Sequence, residues 1–413
     1  MRVLIIGYVW PEPNSSAAGR RMLELVSALQ ANGGEIHFAS AAVLGEHSVD
    51  LAALDVSAVS IVLNCDSFDS YIKDLQPTVV IFDRFLMEEQ FGWRVERSCP
   101  AALKILDSED LHCLRHARHQ ALKQKRELNR QDLCSELALR EIAAIWRCDL
   151  TLIISEFELA LLQDSYGVPT DLLHYLPLLS EFDGSQAANW PSYDERQHCV
   201  VVGNFRHAPN WDAVQYLRSE IWPLIRRRMP MLQCHVYGAY PPPKALQLHS
   251  DKLGFLVKGW AADADEVVRK ARLCLAPLRF GAGQKGKLLA AMECGTPSIT
   301  SAIGAEGMCG DLAWSGSIVT DSSQFAADFT AAACALYGDR DAWEAAQRQG
   351  GELLLKRYQC SSHLAYFAQR LLELSTELNE HRLKHFNGLM LRHHTVKSHQ
   401  YMSQWIAAKN QQG

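Results

Sequence analysis

The feature that most constrains this chain is an alternation of short, unbroken apolar runs with helical stretches, which breaks off once and then restarts. VLIIGYVW from Val3, EIHFAS from Glu35, VSIVL near residue 60, TVVIFD at 78 to 83, ALKIL at 102 to 106 and LTLII at 150 to 154 are apolar on both faces. A strand with no polar face belongs in a parallel sheet covered on both sides by helices. The first intervening helix places Met22, Leu25, Val26 and Leu29 on one face and is closed by Gly33-Gly34. After GVPTDLLHYLPLL, the segment SEFDGSQAANWPSYDERQ is poor in apolar residues and rich in turn formers, which marks a linker. The alternation resumes with CVVVGN, LQCHVYGA, GFLVKGW, LCLAPL and PSITS. The pattern therefore predicts an α/β chain of two Rossmann-like, doubly wound domains, over 1–180 and 198–355, joined by a linker at 181–197. Residues 356–413 carry Leu, Phe and Tyr at helical spacing and are expected to pack back on the first domain. With 413 residues, 48% of them hydrophobic, there is material for more than one core.

Net charge −6 gives no global basic field, so no nucleic-acid partner is expected. The twelve cysteines contain no CxxC pair and read as reduced, buried small hydrophobes. MRVLIIGYVW is a first strand and too short for a signal peptide, and no run reaches the roughly 18 apolar residues that span a bilayer. A cytoplasmic protein without a transmembrane segment is expected, with peripheral membrane contact left open. One long helix is expected between Leu111 and Trp146, and another from Trp211 to about Met229. Asp263-Ala264-Asp265 spells a metal-binding DxD, but its place before VVRKA suits a helix cap. LRHHTVKSH reads as a solvated helix end, and no metal ligands are assigned.

Ligands of open parallel sheets bind beyond the carboxyl ends of the strands. In the second domain the informative loop is APLRFGAGQKGKLLAAMECG, residues 276–295. Gly281 and Gly283 open a helix whose first turn carries Lys285 and Lys287, and Arg279 precedes them. Small residues admit a ligand close to the backbone, and free amides at a helix start favour an anion. The spacing is neither a P-loop nor a GxGxxG fingerprint. A diphosphate site and a plain helix start with exposed lysines both fit these residues.

The run PLRFGAGQKGKLLAAMECGTPSITSAIGAEGM resembles the nucleotide-sugar signature of glycosyltransferase family 4, PLR-x-GAG-x-KGK-x-LEAM-x-x-G-x-P followed by GAEG. GNFRHAPNWDAVQYL at 203–217 is similar to the opening of that family's C-terminal domain, and weaker likeness runs through ISEFELALLQDSYGVP and PEPNSSAAGRR. The resemblance covers roughly residues 1 to 360. It implies a GT-B glycosyltransferase with two Rossmann-like domains facing across a cleft. The nucleotide sugar would bind the C-terminal domain and the acceptor the N-terminal one, with retention of configuration and without a metal or other cofactor. It places Gly203 and Arg206 near the diphosphate or sugar, Arg279, Gly281, Gly283, Lys285 and Lys287 around the phosphates, and Glu306 close to the donor cleft. The family's paired glutamates fall on Ala282 and Ala290, and a carboxylate lost at the second position removes roughly 1.5 to 3 kcal/mol of charged hydrogen bonding to the ribose. Glu293 substitutes for it only if the helix register or the ribose pose differs. Asn204 and Asn210 stand where many members have Arg and Lys.

In the first domain ALKIL delivers DSEDLHCLRHAR, which brings together Asp107, Glu109, Asp110, His112 and Arg115. Activating an acceptor hydroxyl calls for a carboxylate or imidazole, so His112, Asp110, Asp107 and Glu109 are the catalytic candidates; a helix start capped by Asp110 accounts for the same residues. FDRFLMEEQFGW lines the acceptor side or anchors it through Phe85, Phe91 and Trp93. Ser15, Ser16, Gly19, Arg20 and Arg21 form a helix start facing the cleft or an ordinary βα turn. A nucleotide-sugar epimerase or hydrolase, and a catalytically degenerate scaffold, remain as alternatives. Neither the sugar, the base nor the acceptor, be it saccharide, lipid, protein or small molecule, is legible.

Overall fold

The structure, a computed structural model, describes residues 1–410, with the side chains of 394–396 and 410 outside the description. The first domain is a parallel sheet of seven strands: β1 (Arg2–Gly7), β2 (Glu35–Ser40), β3 (Ser57–Ser60), β4 (Val79–Asp83), β5 (Leu103–Asp107), β6 (Leu150–Ile153) and β7 (Leu173–Tyr175). Their spatial order is β3-β2-β1-β4-β5-β6-β7. The second is a parallel sheet of six: β8 (Gln197–Val202), β9 (Cys234–Tyr237), β10 (Phe255–Gly259), β11 (Ala271–Ala276), β12 (Ser298–Ser301) and β13 (Gly316–Val319), in the order β10-β9-β8-β11-β12-β13. Both sheets reverse direction of winding beside their first strand, between β1 and β4 and between β8 and β11. Such a switch point is where the loops part and a ligand enters. The apolar strand pattern is explained by burial: Val3 to Ile6, Val80 to Phe82 and Leu273 to Leu275 are sealed beneath helices on both sides.

The first helix, Ala17–Ala31, starts at Ser16, whose hydroxyl accepts the Gly19 amide, and buries Met22, Leu25, Val26 and Leu29. The helix expected over 111–146 is instead two, His112–Lys123 and Glu136–Arg147. Lys125 adopts φ +52, and Asn129 with Asp132 forms a capping box that starts a 3-10 turn, so the chain breaks and restarts. The helix expected from Trp211 to Met229 begins at Ala208 and contains a π turn at Leu217–Ile221. Pro223, which lacks an N–H and crowds the preceding turn, accounts for that widening.

The chain returns to the first domain after the helix Arg340–Arg357: the Ser180 amide donates to the Tyr358 carbonyl at 2.7 Å and the Cys360 amide to the Ser180 carbonyl at 3.1 Å. The helix Cys360–Lys384 then lays Phe367, Leu371 and Leu374 on the cluster containing Val3 and Ile5. The last helix, Phe386–Asn410, runs along Phe85–Ser98 and Glu136–Arg147. Asp149, fully buried at the start of β6, anchors this tail. It accepts from Arg382 through Nε and Nη2, both at 2.8 Å, and from Arg392 Nη2 at 2.6 Å, while its carbonyl meets His381 Nε2 at 2.8 Å. In the stretch LRHHTVKSH, His393 accepts from Lys397 at 3.2 Å and His394 lies outside the described side chains. No helix among the described residues is long and apolar enough to cross a membrane.

Candidate active site

The carboxyl edges of the two sheets face each other across a cleft of about 1150 Å³, lined by both domains. On the second domain's side, the chain leaving β11 makes its turn at Gly283, in the left-handed region at φ +63. A Cβ there would stand 2.8 Å from the Asp110 Cβ and 2.9 Å from Ile154 Cδ1, so both the backbone and the opposite domain require glycine. The helix Gly286–Glu293 follows, with Lys285 at its N-cap and no side chain capping it. Its unclaimed amides and positive dipole end face the cleft beside two ammonium groups. Lys285 Nζ donates to the Ala282 carbonyl at 3.1 Å and to that of Gly283, while Lys287 Nζ donates to Asn210 Oδ1 at 2.6 Å. Gly203 leaves the space this lysine occupies, since a Cβ there would come within 2.8 Å of its Nζ. Burial pushes the Lys287 ammonium down to about 8 and lowers Lys285 as well, against the pull of Glu306 and Glu158. Desolvated cations of this kind gain most from an anionic partner.

Gly203, Arg206, Gly281, Lys285 and Lys287 all line the cleft. Arg206 is exposed and lies 3.6 Å over the Tyr240 ring. Arg279 is not part of this lining: Asp212 holds its guanidinium, with Nε at 2.9 Å, and it stacks on Tyr216, so it orders the outside of the loop. Glu306 is likewise withdrawn, gripped by Arg118 at 2.8 and 2.7 Å. Gly283 sits behind the surface, its amide donating to Glu158 Oε1 at 2.8 Å.

Across the cleft, β5 ends at Asp107, which is fully buried under the floor and tied to Arg21 at 2.9 and 3.2 Å. Asp107 therefore has no access to the cleft, where the sequence reading expected a catalytic candidate. Glu109 does line the cleft. It adopts φ +61, its Oε1 is buried without a partner, and burial together with the like charge of Asp107 pushes its carboxyl up. Arg84, also a lining residue, sits at φ +69. Such backbone costs about 1–3 kcal/mol per residue and gathers at functional sites. Asp110 is bonded by Arg115 and lies 3.5 Å from His112 Nε2; burial would raise its carboxyl, but Arg115, His112 and His207 hold it well below the usual range. Asp110 does not cap the helix. The amides of His112 and Cys113 go to Glu141 at 3.0 and 2.7 Å, and that of Leu111 goes to Glu158 at 2.9 Å. His112, edge-on to Phe85, is pushed down to about 4 by burial, only partly offset by Asp110, so the imidazole is neutral at pH 7. Phe85, Phe91 and Trp93 are buried as an anchor, while Asp83 and Arg84 reach the cleft.

Ala290 faces the cleft, and the one carboxylate on its helix, Glu293, does not line it. Glu293, three residues on, accepts from Ser180 Oγ at 2.7 Å and Arg20 at 3.0 Å. Arg20 also holds Asp265 at 3.2 Å, and Asp265 lines the same wall. Asp263 accepts the Glu266 amide at 2.8 Å and so caps its helix. Sequence reasoning missed the residues that bind the halves together: Arg118, which also donates to the Gly281 carbonyl at 2.8 Å; Glu158; His119, stacked on Phe280 at 4.2 Å; and Glu12, which accepts from Tyr240 at 2.8 Å. Only the likeness of ISEFELALLQDSYGVP pointed near Glu158.

Residues 196–339 match the model of the family described as glycosyl transferases group 1. No curated protein matches the chain. Among solved structures, a sucrose-phosphate synthase from Thermosynechococcus elongatus is 15% identical with a TM-score of 0.65, covering 91% of this chain and 99% of that one. A glycosyltransferase from Rickettsia africae ESF-5 is 12% identical with a TM-score of 0.64, covering 91% and 98%. Anabaena HepE is 10% identical with a TM-score of 0.66, covering 91% and 100%. With these likenesses set beside the two parallel sheets and the cleft between them, the fold is GT-B: two Rossmann-like domains with a helical C-terminal extension.

Proposed function

We propose that the protein is a glycosyltransferase that binds a nucleoside-diphosphate sugar on its second domain and transfers the sugar to an acceptor held by the first. The observation that carries this reading is the convergence of Lys285, Lys287 and the open start of the helix Gly286–Glu293 on a cleft whose far wall presents Glu109, Asp110 and His112. A pair of desolvated ammonium groups at a helix start, neither of them in a salt bridge among the described residues, is complementary to a diphosphate and would stabilise the charge that develops on that leaving group as the glycosidic bond breaks. The match of residues 196–339 to glycosyl transferases group 1 falls on this half. A HepE structure holds UDP-glucose, which makes a uridine donor the first to try.

In this reading the acceptor hydroxyl meets His112, neutral and able to take a proton, with Asp110 beside it to stabilise the resulting imidazolium. Glu109 and Arg84 position the sugar or the acceptor. Transfer with retention and without a metal is what the family resemblance implies; a cytoplasmic location is the expectation from the sequence, and the twelve cysteines, all unpaired, are in keeping with a reducing compartment. Asp265, a carboxylate in the cleft wall on the same domain as Ala290, is a candidate to take the ribose in its place, once Arg20 yields it.

The test is a thermal-shift screen of UDP-, GDP-, dTDP- and CMP-sugars, followed by turnover with the donor that binds. A ligand at 100 times its dissociation constant stabilises by about 2.7 kcal/mol. A shift lost in Lys285→Ala, together with chelator-insensitive product of unchanged anomeric configuration, supports the reading. A folded protein that binds none of these donors refutes it.

A further inference from the structure

The described residues contain one cluster with the composition of a transition-metal site, and it is remote from the cleft. One ligand atom each from Asp171, His381 and His385 lie within 4.8 Å of one another. Asp171 precedes β7 and Asp149, which this cluster touches, precedes β6, so the cluster occupies the amino edge of the first sheet, opposite the edge that faces the cleft. We infer that His381, His385 and Asp171 bind one divalent ion of the zinc class and thereby staple the C-terminal helices to the first domain.

The two histidines come from one element. His381 lies in the last turn of Cys360–Lys384 and His385 is its C-cap, four residues on; their rings are 4.9 Å apart, and both side chains are buried. His385 Nε2 is already 3.0 Å from Asp171 Oδ2. Bonds of about 2.1 Å draw tetrahedral ligands to about 3.4 Å from one another, so small ring rotations close the set. His381 supplies the stronger argument. Its Nε2 faces the Asp149 carbonyl at 2.8 Å, and a carbonyl only accepts, so Nε2 carries the proton and Nδ1 keeps the lone pair. A backbone carbonyl on the far ring nitrogen is how ligating histidines are fixed in tautomer and orientation.

Arg382 and Arg392 are spent on the Asp149 carboxylate, and Arg370 donates to the Asp171 carbonyl at 2.9 Å while pairing with Glu373, so none of the three pairs with the Asp171 carboxylate. A cavity of about 10 Å³ borders both histidines and has room for one water as fourth ligand. Two imidazoles, one carboxylate and a water suit zinc or cobalt and not magnesium or calcium. On binding, the proton that His385 Nε2 shares with Asp171 moves to Nδ1 or to solvent as the metal–nitrogen bond forms.

The test uses the full chain, stripped with chelator and titrated with zinc by calorimetry and with cobalt by visible absorption. The expected result is one equivalent per chain, with tetrahedral cobalt bands and no thiolate-to-cobalt charge transfer, since no cysteine is in the set. Asp171→Asn keeps a hydrogen-bond partner for His385 but loses the anionic ligand, and it should weaken binding about tenfold or more, as should His385→Asn. His393→Gln and His399→Gln should leave binding unchanged. Absence of stoichiometric zinc or cobalt binding by the wild type, a thiolate band, or undiminished affinity in Asp171→Asn would overturn the assignment.

Discussion

Replacing Asp149 by Asn removes the charge on which the C-terminal tail is anchored. The Asp149 carboxylate is inaccessible to solvent, and the guanidinium groups of Arg382 and Arg392 that converge on it are 12% and 10% exposed. An amide offers one oxygen where two were used, and its NH₂ group turns a donor toward a guanidinium. Breaking a buried pair on one side costs about 3–5 kcal/mol, because the partner stays buried without compensation. That corresponds to about two to four powers of ten in the opening equilibrium of the tail. Hydrogen exchange over 360–384 should accelerate by that factor, and limited proteolysis should cut between Tyr358 and His385 while both sheets stay protected. The wild type should reproduce the effect in acid. Burial opposes ionisation of Asp149, but Arg382, Arg392 and Lys104 more than compensate, so its folded pKa lies well below that of an unfolded aspartate. A depressed carboxylate contributes stability above the unfolded value of 3.8 and loses it as pH falls through the folded one, so tail protection should decline only below about pH 4. Tail exchange in Asp149→Asn within tenfold of wild type at pH 7 would refute the anchoring argument.

The remaining expectations concern the cleft. Lys287→Ala should weaken donor binding by about 1.5–3 kcal/mol in calorimetry, and in the wild type donor affinity should decline above about pH 8 as this buried ammonium loses its proton. His112→Gln should leave the donor-induced thermal shift intact and lower kcat; since burial pushes His112 to about 4, the wild-type rate profile should show no break near pH 6.5. Arg118→Ala frees Glu306 and the Gly281 carbonyl, so it should raise the donor KM at least tenfold by about the energy of a buried pair, with a larger radius of gyration in solution scattering. Ala290→Glu should tighten donor binding by about tenfold if the ribose lies against that helix, measured as Kd.

The two sheets were legible because their central strands are buried on both faces and so spell unbroken apolar runs, whereas the edge strands Ser57–Ser60 and Gly316–Val319 are largely open and carry no such signal. Helix interruptions were less visible: Lys125 at positive φ and the Asn129 box lie in polar sequence that is equally at home on a helix surface. For the site, the glycines and lysines of 281–287 are local, since the turn, the helix start and the charges are adjacent in the chain. The pairings of Arg279 and Glu306 were not legible, because their partners, Asp212 and Arg118, are 67 and 188 residues away and nothing near them encodes the contact; Arg279 is thereby kept out of the cleft lining, while Glu306 stays close to it beside Lys285. The same holds for Asp107, whose reach into the cleft is lost to Arg21. The tail cluster escaped notice because its aspartate and its histidines are separated by the whole second domain.

Glu158, in the first half, accepts the amide of Gly283, in the second. The loop that would meet the phosphates thus takes its shape from a residue of the other domain, and separating the halves would leave that loop without its support. On the proposed function, grip on the leaving group and approach of the two halves would therefore be one event and not two in succession. If the proposed donor binds here, it should be held loosely whenever the halves part and firmly only when solvent is shut out, an arrangement that would spare an activated sugar from futile hydrolysis.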